Sequence, residues 1–146
     1  MTDPQIVYAP RRIQRRRVSG WRAANHCTNP LGYAYVGRGT RFGNPWAVVQ
    51  TPRGWAAKWT EGARKPQPAD GKRWIARDTR YAAHEAAVYL YAEWIADQPQ
   101  LLAAIREQLA ARDVLCWCPE SLPCHGDVHL AVAAGEDPRP AVSPTA

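Results

Sequence analysis

Val114-Leu115-Cys116-Trp117-Cys118-Pro119-Glu120-Ser121-Leu122-Pro123-Cys124-His125-Gly126-Asp127 reads as a strand, a tight loop and a helix start. Val114 to Cys118 is a short apolar run of the buried-strand type. Pro119 and Pro123 bracket the loop, and Cys124 or His125 opens a helix predicted to reach about Ala134. Cys116 and Cys118 are two apart, so on a strand their side chains leave one face. The loop returns Cys124 and His125 toward the carboxyl end of that strand. A thiol there meets free backbone N–H groups and the positive end of the helix dipole, both of which favour thiolate.

Outward from this segment, the chain alternates strands and helices. Asp78 or Thr79 caps a helix to about Ala96, with Ala83, Ala87, Leu90 and Trp94 on its buried face. Pro99 is placed to open a second helix to about Ala111, turning Leu102, Ile105 and Leu109 inward. Leu31 to Val36 reads as a short strand, Trp46 to Val49 is a second short apolar run, and the arm is expected to enter a strand at Gln5 to Tyr8. Gln50 to Lys72 carries Pro52, Gly54, Gly62, Pro66, Pro68 and Gly71, which predicts a long surface excursion. This order implies an α/β fold: a small mixed or parallel sheet with helices packed on it, in a single domain. Residues 1–12 are expected as a basic arm, 13–134 as the domain and 135–146 as a disordered tail.

A chain of 146 residues is the usual size for one core. Its 46% hydrophobic content excludes a disordered chain. Seven tryptophans and six tyrosines stand against one phenylalanine, a set whose rings offer both buried area and polar edges. The net charge of +6 favours phosphate-bearing partners such as a nucleotide or nucleic acid. Arg11, Arg12, Arg15, Arg16 and Arg17 concentrate it in a segment suited to a phosphate backbone. The start Met1-Thr2-Asp3-Pro4 carries no apolar stretch, and no run is long enough to span a bilayer. A cytoplasmic protein with reduced cysteines and no membrane partner is expected, and in that setting clustered Cys and His point to metal or catalysis.

Three readings of the cluster stand open. Cys116, Cys118, Cys124 and His125 form a legitimate tetrahedral zinc set, although the spacing differs from the common C-x2-C knuckle. Alternatively, Cys124, His125 and Asp127 form a metal-free catalytic group in which Asp127 orients His125. In the third, the cysteines are small buried hydrophobes and His125 and Asp127 cap a helix. His26 and Cys27 are further candidates for the same place.

Gly37-Arg38-Gly39-Thr40-Arg41-Phe42-Gly43-Asn44-Pro45 follows a strand. Its glycines permit close backbone approach, and Arg38 and Arg41 carry planar forks suited to phosphate or carboxylate. Asn44 can read an amide, a base edge or a ribose hydroxyl, and Thr40 adds a hydroxyl. Neither a dinucleotide fingerprint nor a P-loop is present. Trp21, with Arg22, Trp46 and Trp117, flanks these motifs and can stack on a base.

Together, Gln14-Arg15-Arg16-Arg17, Gly20-Trp21-Arg22, Val36 to Pro45, Cys116-Trp117-Cys118 and Pro123 to Val128 resemble a small bacterial and phage domain family of unknown function. The resemblance runs from about Ile13 to Ala134 and implies site residues without a substrate. Members often have Trp-Arg-x-Pro where this chain has Trp21-Arg22-Ala23-Ala24, and a glycine-lysine turn at Ala111-Arg112. His129 stands where an aliphatic residue is usual.

The expectation is an enzyme or enzyme-like domain binding or processing a nucleotide, nucleobase or nucleic acid. Arg38, Thr40, Arg41, Asn44, Trp21 and Arg22 would bind it, beside the Cys/His cluster with zinc as its cofactor. The alternatives are a non-catalytic nucleic-acid-binding module with a structural zinc, and a phage or host interaction protein.

Overall fold

The computed structural model describes residues 8–139. Along the chain run β1 (Arg12–Gln14), β2 (Tyr33–Tyr35), β3 (Trp46–Thr51), β4 (Gly54–Trp59), β5 (Trp74–Arg77), α1 (Arg80–Ala96), α2 (Pro99–Gln108), β6 (Asp113–Cys116) and α3 (His125–Ala133). These form a single small α/β domain with two three-stranded sheets. One is parallel in the order β1-β6-β2, and the other is antiparallel in the order β3-β4-β5.

The helices start where their local chemistry directs. Thr79 caps α1, its hydroxyl accepting from the Ala82 amide. Pro99 occupies the first turn of α2, where its missing N–H costs nothing. Cys124 caps α3, its sulfur accepting from the Gly126 amide at 3.4 Å. α2 stops at Gln108, short of the predicted Ala111. Ala111 has φ +58°, a left-handed turn that ends the helix and leads into β6.

α1 is buried on more than the single predicted face, with Ala86, Val88, Ala92 and Ile95 inside as well. The reason is its position: it packs on β3, β4 and β5 on one side and on α2 and α3 on the other, while α3 covers β6 and β1. Small residues make the close approach to β4 workable, for Ala56 and Ala57 are fully buried beneath it.

The surface excursion expected over 50–72 is corrected. Pro52 and Arg53 turn a hairpin that pairs Trp46 with Trp59 and Thr51 with Gly54. The following segment is held by three indoles that pack edge-to-face at 4.9–6.3 Å. Trp46 donates to the Lys72 carbonyl, Trp59 to Gly62 and Trp94 to Pro66, at 2.8–2.9 Å. Burying an indole requires a partner for its N–H, and the Pro-Gly segment supplies carbonyls where regular structure is missing.

Buried Asp113 opens β6 and ties down the N-terminal segment. Its carboxylate accepts from the Tyr8 hydroxyl and the Arg11 amide, each at 3.0 Å, and from Asn29 at 3.2 Å. Of the expected arm, residues 1–7 lie outside the described residues, Tyr8 and Arg11 are bonded to Asp113, and Arg12 already belongs to β1. The strand expected at Gln5 to Tyr8 falls outside the described residues up to position 7, and Tyr8 is not in a strand. Of the expected tail, residues 135–139 are held: Pro138 is buried and Arg139 pairs with Asp97 at 3.3 Å. Residues 140–146 lie outside the described residues.

Candidate metal and ligand site

The thiols converge at the carboxyl end of β6. One ligand atom each from Cys116, Cys118 and Cys124 lies within 4.8 Å of the other two, and the Cys116 and Cys124 sulfurs are 3.2 Å apart. Cys116 and Cys124 are buried and Cys118 is half-buried. A tetrahedral zinc site with ~2.3 Å bonds spaces its sulfurs ~3.8 Å apart, so the set needs only small movements to hold such an ion. All three thiols are free.

Cys124 is the natural thiolate. Hydrogen bonds from the Cys116 and Cys118 thiols drive its pKa far below the ordinary thiol value against the cost of burial, and His125 adds to the effect. Cys118 is correspondingly pushed up by its bonds to Cys116 and Cys124. Cys116 is pushed up to about 12, because its bond to Cys124 and its burial outweigh the opposing pull of Cys118.

His125 is bonded differently from the expectation. Its Nε2–H donates to the Val36 carbonyl at 2.7 Å, since a carbonyl only accepts. Nδ1 of the same ring lies 3.5 Å from the Cys124 sulfur. His125 thus stands beside the three-thiol group, outside the set of mutually close ligand atoms. Asp127 makes no hydrogen bond to it among the described residues and pairs instead with Arg12 at 3.6 Å. Cys27 and His26 are elsewhere: Cys27 lies 3.5 Å from Asp113 at the opposite end of β6, and His26 stacks on Trp21.

Arg12 is a site residue that sequence reasoning left in the arm. Its Nη2 donates to the Glu120 and Leu122 carbonyls at 3.1 and 2.9 Å, bracing the loop that carries Cys118 to Cys124. Burial weakens its charge, but the Cys124 sulfur and the Asp127 carboxylate more than compensate. Its Nη1 is buried without a hydrogen-bond partner. Alternation around buried Ile13 was the available signal, since it places Arg12 and Gln14 on one strand face.

The glycine-arginine segment forms a tight double turn. The Thr40 hydroxyl donates to the Gly37 carbonyl at 2.7 Å, and the Gly43 amide donates to Thr40 at 3.1 Å. A Cβ on Gly43 would sit 2.9 Å from the Gly37 carbonyl oxygen, so only glycine fits. Asn44 bridges this turn to α1, accepting from the Trp46 amide at 2.9 Å and donating to the Ala87 carbonyl at 3.1 Å. Thr40 and Asn44 therefore spend polar atoms on the protein itself. Arg38 and Arg41 diverge, Arg38 toward the thiols and Arg41 toward Trp94 and Pro99.

Arg38 borders a cleft of about 340 Å³ whose wall includes the three thiols and His125. Asn44, Trp46, Trp55, Trp117, Arg80 and His84 complete its polar and aromatic lining. The cleft lies beyond the carboxyl ends of β2 and β6, the usual ligand position for parallel strands. His84 and Arg80 were missed as site residues, although the spacing Arg80, His84, Val88 marks one stripe of α1. His84 Nδ1–H faces the Pro123 carbonyl at 3.3 Å, which leaves Nε2 as the acceptor of the neutral ring. Burial lowers its pKa and favours that neutral form. Trp21 and Arg22 lie on a separate face, with Tyr33, Tyr35 and Leu115.

Fold and site together define a small α/β domain with a three-cysteine cluster capable of coordinating a metal ion. No helix among the described residues is long and apolar enough to cross a membrane. The chain belongs to the family described as "Domain of unknown function (DUF4326)", which matches residues 13–135. No curated protein and no solved structure matches it.

Proposed function

We propose that this domain is a nucleotide-directed enzyme of a reducing, cytoplasmic compartment, with zinc held by Cys116, Cys118 and Cys124. The observation that carries this reading is the shared cleft, which joins a three-thiol cluster to two arginines and three tryptophans. Arg38 and Arg80 suit the phosphate, and Trp55 or Trp117 suits the base.

Cys116, Cys118 and Cys124 would hold the zinc as thiolates, and the ion would supply Lewis acidity to a water or substrate atom in the cleft. Around the cleft the protein's own groups have separate tasks. Arg12 offsets the negative charge of the thiolates and braces their loop. His125 fixes the start of α3 through Val36. His84 presents an unprotonated Nε2 able to accept a proton.

The test uses protein purified without a metal-affinity column. Metal analysis is expected to give one zinc per chain, with three thiols protected from a thiol reagent. Calorimetry with a nucleoside monophosphate is expected to show binding that Arg80→Ala weakens about tenfold. Metal-free protein with three fast-reacting thiols would overturn the zinc assignment. Nucleotide affinity indifferent to both Arg38→Ala and Arg80→Ala would overturn the cleft assignment.

A further inference from the structure

We infer that the groove on the outer face of the parallel sheet is a track for single-stranded nucleic acid, leading across Trp117 into the thiol cleft. The inference rests on the nucleotide reading of the cleft and enlarges the ligand from a nucleotide to a strand.

The groove encloses about 620 Å³, and Arg15, Arg16, Arg17 and Arg22 line it without any carboxylate among its lining residues. Among the described residues, the side chains of these four arginines make no ion pair or hydrogen bond in the structure. Four cations on one surface, unpaired with any carboxylate among the described residues, are complementary to a polyanion. Aromatic rings interleave with them. The Arg15 guanidinium lies 4.9 Å from the Trp117 ring centroid and 5.6 Å from that of Tyr35, while Arg17 lies 5.0 Å from Trp117. Trp117 is 36% exposed despite following a fully buried strand.

Trp117 also lines the thiol cleft, so one ring belongs to both cavities. A base stacked on it would stand between the arginine track and the cysteines. Because guanidinium groups now occupy places over this ring, a base can displace one of them and free it to pair with a phosphate. Duplex bases are stacked on one another and offer no free ring face, which is why the geometry points to a single strand. An acidic peptide could meet the charge but would leave the rings without a stacking partner.

Anisotropy of a labelled oligouridylate of about 15 nucleotides, titrated with the full chain across a salt series, tests this. Binding is expected to weaken with salt at a slope of about −2 to −3 in log–log form, as three or four phosphates at about −0.7 each require. The double variant Arg16→Ala/Arg22→Ala, at two exposed positions, is expected to reduce that slope by about 1.4. It should lower affinity at least tenfold while melting like the wild type. Trp117→Ala should weaken binding with the slope retained, which separates stacking from charge.

Equal affinity for a duplex of the same length, tighter binding of polyglutamate, or no response to the arginine variant overturns the groove assignment. Monophosphate binding that depends on Arg80, with no added affinity for the oligonucleotide, sinks the groove and leaves the cleft reading intact. Oligonucleotide binding lost in the arginine variant but indifferent to Arg80→Ala upholds the groove and sinks the cleft reading.

Discussion

Replacing Arg12 with methionine tests whether the loop brace or the idle nitrogen dominates at the edge of the thiol cluster. The Arg12 side chain is only 12% exposed, and methionine keeps an apolar stem of similar reach. The Leu122 carbonyl is partly buried and loses a charged donor, at a cost of about 1.5–3 kcal/mol. The Glu120 bond is exposed, so its carbonyl rehydrates and little is lost there. Asp127 is 54% exposed, and solvent screening limits its pair with Arg12 to about 0–1 kcal/mol. Against these stands Nη1, whose burial without a partner already costs the native state about 1–3 kcal/mol. Mid-range values leave a net destabilisation of about 1 kcal/mol, well below what a count of contacts suggests. Urea denaturation of the reduced, metal-free protein measures it through the midpoint at unchanged slope. Alkylation of the same protein against pH should show the Cys124 thiol titrating higher, because a neighbouring cation is gone. A loss above about 4 kcal/mol, or an unshifted alkylation profile, would refute this account of Arg12.

Other outcomes follow from particular residues. Ala111→Gly should stabilise the domain by about 0.5–1 kcal/mol in urea, since Ala111 holds φ +58° where an L side chain is strained; a loss of stability would contradict this. Asn44→Ala should destabilise by about 1–3 kcal/mol by orphaning the Trp46 amide and Ala87 carbonyl, and an unchanged melting curve would reject that bridging role. His129 is fully buried, and burial first, helped by His125, holds its pKa well below the ordinary value. Below about pH 6.5 the unfolded chain therefore takes up a proton that the folded one refuses, and stability falls as pH falls, by up to about 1.4 kcal/mol per unit. His129→Leu should flatten this slope in urea melts between pH 7 and 5; an identical slope in both proteins would exclude His129 as its source.

Much of the domain was readable because its signals are local. Thr79, Pro99 and Cys124 act on backbone groups within a turn of themselves, so α1, α2 and α3 begin where the residues say they should. The convergence of Cys116, Cys118 and Cys124 was likewise implied by one strand, one proline-bounded loop and one helix start. The meander was not readable in that way. Pro52, Gly54 and Gly62 announce turns, but the carbonyls that hold the segment find partners in Trp46, Trp59 and Trp94, the last 28 residues from its acceptor. Arg12 was hidden for the same reason, its carbonyl partners lying more than 100 residues away.

By itself, then, the sequence determined the α/β class, the helix starts and the place of the thiols, because caps, proline geometry and side-chain alternation work over a few residues. Only tertiary structure decided what surrounds those thiols. Pairing of β1 and β2 with β6 brings Arg12 and the Val36 carbonyl to Cys124 and His125. Packing of α1 against both layers brings Arg80 and His84 to the cleft and spends Asn44 on the scaffold. These contacts join groups distant in sequence, and their partners are chosen by which buried donors and acceptors the packed layers leave to be satisfied.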